Sequence, residues 1–226
     1  KVESLKLRVP MEVIVLPTKY PQGAEKQLIK AITNREVPPE GLPMDIGVIM
    51  QNVSTALAIK EAVVDGKALV ERVVTVSGPA VVNPGNFRVR IGTPISELIS
   101  AAGGFPADSE RIIIGGPMMG IAQWTTEIPV TKGTTGILLL PRDKFLNKET
   151  EPCIRCGKCV EVCPMNLLVS EIGRYAENRD WASAERLNVS DCMECGICAY
   201  VCPAKRPIVQ YIKWTKTQAK GSGLHS

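Results

Sequence analysis

The cysteines of this chain are confined to two short runs in its last third. The 226 residues contain eight of them, at positions 153, 156, 159 and 163 and again at positions 192, 195, 198 and 202. Each run reads C-x2-C-x2-C-x3-C and is followed by a proline, Pro164 or Pro203. This close and repeated spacing constrains the fold strongly, because two loops must each gather several thiols around a common centre.

The spacing is typical of cysteines that hold [4Fe-4S] clusters in two-cluster ferredoxins. Three thiolates on one coiled loop reach three corners of a cube, and the fourth ligand comes from the other run. The predicted ligand sets are Cys153, Cys156, Cys159 and Cys202 for one cluster, and Cys192, Cys195, Cys198 and Cys163 for the other. Gly157 and Gly196 lack a Cβ and so let backbone N–H groups approach the inorganic sulfides.

Zinc and disulfides are the alternative uses of these thiols. Structural zinc usually pairs two short knuckles across a gap, so the third cysteine of each triplet would be surplus. A structural scaffold with two zinc sites is still the rival from another functional class. A disulfide framework is disfavoured, because the cysteines are crowded rather than distributed as staples and no signal peptide is visible.

Charge and composition narrow the classes of partner. The formal charge is +4 with neutral cysteines, and two oxidised clusters of about −2 each bring the holo protein close to zero. The charge is therefore poor evidence for nucleic acid binding, and an aromatic content of 4% offers few base-stacking surfaces. Basic residues beside the runs offset cluster charge, dock an acidic redox partner or are ordinary solvated side chains: Arg155, Lys158, Lys205 and Arg206.

The single histidine, His225, excludes several kinds of site from this chain. Rieske-type ligation, a Ser/His/Asp triad and histidine-based zinc catalysis all need histidines that are not there. Cluster thiols need a reducing compartment, which predicts exposure to the cytosol. No apolar stretch approaches the ~20 residues needed to cross a bilayer. Because the chain opens with Lys1, we expect it to be a fragment of a longer protein.

The first 72 residues alternate between strand and helix signals. Residues 11–16 and 46–50 are short apolar runs that predict buried strands. Helices are predicted over 24–34, with Leu28, Ile29 and Ile32 facing inward, and over 54–64, where Asp65-Gly66 marks the end. This order predicts an α/β layer.

From residue 72 the pattern changes to β structure. Alternating apolar residues predict strands near 72–76 and 87–91. Thr93 is predicted to cap a helix that has Pro94 at its first position. Two more apolar runs, at 112–114 and 137–140, predict further strands. A small sheet crossed by one helix indicates a β-grasp-like domain.

The cysteine-bearing segment follows a charged stretch without periodicity, residues 142–151, which we interpret as a linker. Helical spacing predicts two helices inserted between the cysteine runs and a last helix over 208–214. The Gly/Ser-rich tail is predicted to be disordered. The predicted fold class is α+β multidomain, with domains over residues 1–72, 73–141 and 152–216 and a tail over 217–226.

Over residues 10–212 the chain resembles one family, the C subunits of the Rnf electron-transport complex, which are relatives of the flavin-bearing subunit of respiratory complex I. The resembling segments are residues 19–28 (KYPQGAEKQL), 51–55 (QNVST), 76–123 with GGPMMG at 115–120, and both cysteine runs. The ordered combination is much more specific than the cysteine runs alone. It implies the second half of a flavin- and NADH-binding α/β domain, a soluble-ligand-binding (SLBB-like) β-grasp domain and a dicluster ferredoxin domain.

The resemblance also implies residues for the FMN and NADH pocket of the full-length protein: Tyr20, Gly23, Glu25, Asn52 and Thr55. Taken alone, Gly23 is explained as a turn glycine, Asn52 as a helix cap and Glu25 as a first-turn acid. The family's pocket also needs a loop of the form G-R-G-G-A-G-F-P, which does not occur here and would lie before Lys1. The Gly115-Gly116-Pro117 segment lacks G-x-G-x-x-G spacing and is interpreted as a strand-ending turn.

The implied function is electron transfer in a membrane-associated NADH:ferredoxin-type oxidoreductase complex, a translocase. FMN would take a hydride from NADH, and two clusters would pass single electrons onward. The implied partners are other subunits and a ferredoxin-like redox protein, with the chain peripheral on the cytoplasmic side of the membrane. No residue is predicted to be catalytic, and Met165, Met193 and Ile197 are expected to shield the clusters. The rivals are a cobalamin reductase of diol-utilising microcompartments, with the same domain order, and a free electron carrier.

Overall fold

The computed structural model describes residues 10–104, 109–141 and 149–221. The chain divides into two compact units, residues 1–51 and residues 52–226. The predicted linker lies largely outside the described residues, which resume at residue 149.

The first unit contains one α-helix, α1 (Glu25–Thr33), in its described part. This confirms the helix predicted over 24–34. The helix ends where Asn34 adopts a left-handed conformation and donates its N–H to the carbonyl of Lys30, a common way to satisfy the last carbonyls of a helix. Of the three residues predicted to face inward, Ile29 is buried whereas Ile32 is 44% exposed.

The two strands predicted in this unit are wrong. Residues 10–19 have no regular structure, and Pro43–Ile46 is a short 3-10 helix whose Asp45 carboxylate accepts the N–H of Leu42 at 2.7 Å. Val15 is 90% exposed and Ile49 is 81% exposed. An apolar run becomes a strand only when a neighbouring strand pairs with it, and the described part of this unit offers none.

The second unit opens with α2 (Val53–Asp65), which confirms the helix predicted over 54–64. Asn52 caps it, because its side-chain oxygen accepts the N–H of Ser54 at 2.9 Å. Gly66 ends it in a left-handed conformation. No residue of α2 is buried, so its apolar side chains Val53, Leu57 and Val63 are exposed.

A five-stranded mixed sheet follows. Its strands are β1 (Glu71–Ser77), β2 (Gly85–Arg90), β3 (Ser109–Ile114), β4 (Ile121–Gln123) and β5 (Gly136–Pro141). The order is β2-β1-β5-β3-β4; β1 and β5 are parallel and the other pairs antiparallel. The sheet packs with α3 (Ile95–Ala101), as expected for a β-grasp-like domain. No apolar pattern predicted β4, since it has three residues and Ile121 is 65% exposed.

The core of this domain lies between the sheet and α3. Val74, Val76, Ile137 and Leu139 alternate along β1 and β5 and are 0% or 1% exposed, and Leu98 of α3 packs with them. Period-2 alternation puts all four strand side chains on one face.

The predicted start of α3 is wrong by one position. Pro94, rather than Thr93, occupies the cap position, with an extended backbone. The N–H groups of Ile95 and Ser96 donate to the carbonyls of Ile128 and Thr126. Neighbouring backbone therefore satisfies the first turn, and no capping side chain is needed.

The C-terminal part is helical: α4 (Lys158–Glu161), α5 (Val169–Glu177), α6 (Trp181–Glu185), α7 (Ile197–Tyr200) and α8 (Ile208–Gly221). The two predicted inserted helices are confirmed as α5 and α6. Ile172 of α5 and Ile212 of α8 are 0% exposed in a second core, separate from that of the sheet. The predicted disordered tail is wrong for residues 217–221, which continue α8; Thr217 donates its hydroxyl to the carbonyl of Lys213 there. Residues 222–226 lie outside the described residues.

Candidate metal centres

The two cysteine runs are copies of one backbone structure. The shift in residue number that takes Cys153 to Cys192 also takes the first and last residues of α4 to those of α7. The same shift takes the first residue of α5 to the first residue of α8. Three residues with left-handed backbone also repeat at this shift. Their φ angles are 55° at Arg155 and 57° at Glu194, 77° and 84° at the two loop glycines, and 54° at Asn166 and 51° at Lys205. Repeated backbone strain at matching positions indicates two loops built for the same ligand.

One cavity is lined by four thiols that come from both cysteine runs. Cys153, Cys156, Cys159 and Cys202 line a space of about 350 Å³. Its other walls come from α5, from the segment that leads into α8 and from α8 itself; they include Glu177, Arg206 and Tyr211. Thiols from two distant segments of the chain thus surround one space.

The other four thiols, Cys163, Cys192, Cys195 and Cys198, line a second and much tighter cavity of about 10 Å³. Met165 and Met193 also line this cavity, and Val169 lines both cavities. The unbranched side chains of these methionines would adapt their shape to a bound cluster. Ile197, which was also expected to shield a cluster, is not among the residues that line this cavity.

Cys159 and Cys163 line different cavities for a local reason. Residues four apart on a helix share a face, but α4 ends at Glu161 and Pro164 follows Cys163 directly. The fourth cysteine therefore lies beyond the helix, and its sulfur accepts the N–H of Leu167 at 3.4 Å. In the second run the Cys192 sulfur accepts the N–H of Glu194, also at 3.4 Å.

Burial keeps several of these thiols protonated. It raises the pKa of Cys159 and of Cys192, and it raises the pKa of Cys198 to about 12, with the neighbouring Cys192 adding to the effect. A metal must therefore displace protons when it binds here.

All eight cysteines are free of disulfides. In the described ranges, no three His, Cys, Asp or Glu side chains converge closely enough to hold a single metal ion.

Two ion pairs flank the cavities. On the first, Glu177 pairs with Arg206 and accepts the hydroxyl of Tyr211 at 2.9 Å. On the second, Lys216 of α8 donates to Glu194 at 3.0 Å and to the carbonyl of Cys192 at 2.5 Å. No local sequence pattern predicted Glu177 or Lys216 as site residues, although a shift of one cysteine run onto the other places them at equivalent positions.

The five residues predicted for a flavin pocket fall into two groups. Tyr20, Gly23 and Glu25 belong to the first unit, in the turn before α1 and at its first position. Asn52 and Thr55 belong to the second unit, at the start of α2. Thr55 lines a cavity of about 140 Å³ together with Arg72, whose Nε is buried without a hydrogen-bond partner.

Three family models match successive parts of the chain. Residues 2–61 match the Nuo51 FMN-binding domain, residues 73–122 the SLBB domain and residues 145–203 the 4Fe-4S dicluster domain. The dicluster match spans all eight cysteines, which supports two [4Fe-4S] clusters as cofactors, and the first match supports FMN. Two sets of four thiols, each around its own cavity, fit two clusters of four irons.

Curated relatives match nearly the whole chain. It is 50% identical over 214 residues to the C subunit of the proton-translocating ferredoxin:NAD(+) oxidoreductase complex of Clostridium ljungdahlii. The matched residues make up 94% of this chain and 47% of that relative. It is 50% identical over 208 residues to the C subunit of the Na(+)-translocating ferredoxin:NAD(+) oxidoreductase complex of Acetobacterium woodii, covering 92% and 47%. The chain is a homologue of these C subunits. The C subunit of the ion-translocating oxidoreductase complex of Rhodobacter capsulatus is 46% identical over 205 residues, covering 91% and 40%.

The resemblance to this family expected from the sequence is thus confirmed over most of the chain. The chain spans less than half the length of these C subunits. Among the described residues, no helix is both long and apolar enough to cross a membrane.

Proposed function

We propose that this chain is the electron-transfer segment of a membrane-associated NADH:ferredoxin-type oxidoreductase complex. The observation that supports this most directly is the sorting of eight thiols into two sets of four around two cavities. A bound [4Fe-4S] cluster supplies one-electron redox chemistry. Electrons from NADH, by way of FMN in the full-length protein, would be passed onward through both clusters.

The proposed ligands are Cys153, Cys156, Cys159 and Cys202 for the first cluster, and Cys163, Cys192, Cys195 and Cys198 for the second. The chain's own groups hold the thiolates, donate backbone N–H bonds to sulfur and restrict water, and these factors set the potential of such clusters. Val169 and the packing of α5 against α8 hold the two sites next to each other.

The flavin side of the proposal is confined to the full-length protein. Tyr20, Gly23, Glu25, Asn52 and Thr55 are proposed to contribute to FMN and NADH binding there. The sequence contains no glycine-rich loop that would hold the flavin phosphate, so we assign no flavin step to these residues alone.

The proposed partners are the other subunits of the complex and a ferredoxin-like redox protein. Support comes from the names of the relatives, which are subunits of ferredoxin:NAD(+) oxidoreductase complexes. We propose a peripheral position on the cytoplasmic side of the membrane, since cluster thiols need a reducing compartment.

Metal analysis of the anaerobically purified chain tests this proposal. We expect about eight irons and eight acid-labile sulfides per chain and a broad absorption near ~400 nm that bleaches on reduction. About two zincs with no sulfide, even after reconstitution with iron and sulfide, would instead support the zinc scaffold.

Paired substitutions test the ligand sets. If the sets cross between runs, Cys202→Ala removes the same electron paramagnetic resonance signal as Cys156→Ala, and Cys163→Ala removes the same signal as Cys195→Ala. If Cys202→Ala instead matches Cys195→Ala, each run holds its own cluster and the assignment is wrong.

A further inference from the structure

The two cluster loops have the same backbone but different surroundings. A Cβ placed on Gly196 of the second loop would lie 3.0 Å from the carbonyl oxygen of Met118, whereas one placed on Gly157 of the first loop meets no atom within 4 Å. Cys153 and Cys156 are exposed, while Cys195 of the second loop is 7% exposed. Among the described residues, protein covers the second loop, whereas the equivalent first loop is open to solvent.

Two elements cover the second loop. Met118 belongs to the turn between β3 and β4, so the sheet domain lies against this loop. Lys216 of α8 holds the loop through the carbonyl of Cys192 and the carboxylate of Glu194. A redox partner therefore has no direct approach to the second loop from these sides.

The open loop carries positive charge at its rim. Four basic and two acidic residues line the first cavity: Arg155, Lys158, Arg174, Arg206, Glu171 and Glu177. Both carboxylates are engaged, Glu171 with Arg174 and Glu177 with Arg206. Arg155 and Lys158 are exposed, and neither forms an ion pair within the described part of the chain.

This charge is specific to the first loop. The positions equivalent to Arg155 and Lys158 are Glu194, which pairs with Lys216, and Ile197. Between the exposed thiols, Ile154 is 68% exposed, while its equivalent Met193 lines the second cavity. The first loop thus presents an apolar side chain beside two free cations, and charges at the rim of an interface steer a partner of opposite sign.

We propose that the loop from Cys153 to Cys159 is the docking face for an acidic protein that carries a one-electron redox centre. This rests on the proposed function of the chain. Arg155 and Lys158 meet carboxylates of the partner, and Ile154 makes the apolar contact. One electron passes between the partner's centre and the cluster held by this loop; no bond forms or breaks. An anionic membrane is the less favoured partner, because recognition of a lipid surface usually takes four to eight clustered Lys or Arg residues. Of the four that line this cavity, Arg174 and Arg206 are already held in ion pairs.

Stopped-flow kinetics with the cluster-loaded chain test this docking face. The probe is a reduced, acidic [2Fe-2S] ferredoxin, mixed with the oxidised protein at several ionic strengths. We expect Arg155→Glu/Lys158→Glu to slow the second-order rate at least tenfold at low salt and to remove its decline with rising salt. The matched control, Arg88→Glu/Lys132→Glu, makes the same net charge change at two exposed residues of the sheet domain and should stay within twofold.

Iron content and midpoint potentials separate failure of the docking face from failure of the proposed function. A chain that binds no iron, or whose clusters dithionite does not reduce, contradicts the function itself. If the clusters are fully loaded and the two double variants slow the reaction equally, or neither variant slows it, the proposed docking face is wrong. If the charge reversal lowers iron loading, Arg155→Gln/Lys158→Gln should still slow the reaction several-fold. Binding to phosphatidylserine vesicles that needs Arg155 and Lys158, without any effect on the ferredoxin rate, would assign the surface to lipid and overturn the proposal.

Discussion

Lys216 donates its ammonium to the carbonyl oxygen of Cys192 at 2.5 Å and to the carboxylate of Glu194 at 3.0 Å. At the equivalent position on α5 stands Glu177, which lines the first cavity and pairs with Arg206. This one position of the duplicated backbone is therefore a cation at the second site and an anion at the first, and each is held in an ion pair. Two clusters held in matching loops are therefore expected to have different potentials, because nearby charge and burial both enter the potential.

Lys216→Met should lower the potential of the second cluster. Adding an electron to a buried, negatively charged cluster is costly, and a cation nearby offsets that cost. We expect a decrease on the order of 59 mV, a tenfold change for a one-electron couple. A redox titration followed by electron paramagnetic resonance measures it.

Lys213→Met is the matched control for this change. Lys213 lies 3.8 Å from Glu194, and its side chain is 53% exposed compared with 20% for Lys216. Screening by solvent should make its effect smaller. Two outcomes for Lys216→Met would contradict the assigned role of Lys216: an equal shift in the potentials of both clusters, or no shift in a variant that binds as much iron as the unmodified protein.

The glycine pair of the two loops gives a second prediction. Gly157→Ala and Gly196→Ala both place a Cβ at a left-handed position, which costs about 1–2 kcal/mol. Only the alanine at 196 also crowds the carbonyl of Met118, at 3.0 Å. Gly196→Ala should therefore lose more iron per chain and unfold at a lower temperature than Gly157→Ala. Equal losses in both variants would show that the contact with Met118 has no energetic weight.

The sequence predicted those parts of the structure that depend on local pattern. The alternation of Val74 and Val76 predicted a strand, and the Asp65-Gly66 pair predicted the end of α2. The apolar runs at 11–16 and 46–50 failed as strands, because a strand needs a partner that no local pattern specifies. The site showed the same limit. The cysteine spacing was evident, whereas the cover over Gly196 comes from Met118 in another domain.

The ion pair of Glu177 gives a prediction on stability and pH. Burial alone would raise the pKa of Glu177, but hydrogen bonds from Arg206 and Tyr211 bring it below its usual 4.5. A carboxyl with a lowered pKa contributes stability that is lost only as pH falls through that pKa. Glu177→Gln should therefore cost about 1 kcal/mol at every pH between 6 and 8.

Urea unfolding of both proteins across that range measures the cost. Glu171→Gln is the control, since Glu171 makes an exposed pair with Arg174 on the same helix, α5, and exposed pairs contribute little. A cost that grows or shrinks between pH 6 and 8 would mean that the pKa of Glu177 lies much higher than its contacts indicate.

Removal of the metal should unfold one core and spare the other. Five of the eight cysteines pack against or within the core of α5 and α8, next to Ile172 and Ile212, whereas the sheet core around Val74 and Leu139 contains none. Without clusters the thiols no longer tie the two loops together, as in other small domains that fold with their metal. Hydrogen exchange after treatment of the loaded protein with chelator and oxidant should therefore show rapid exchange over residues 153–216. Strands β1 and β5 should retain their protection. Loss of protection in both regions together would show that the two cores unfold as one cooperative unit.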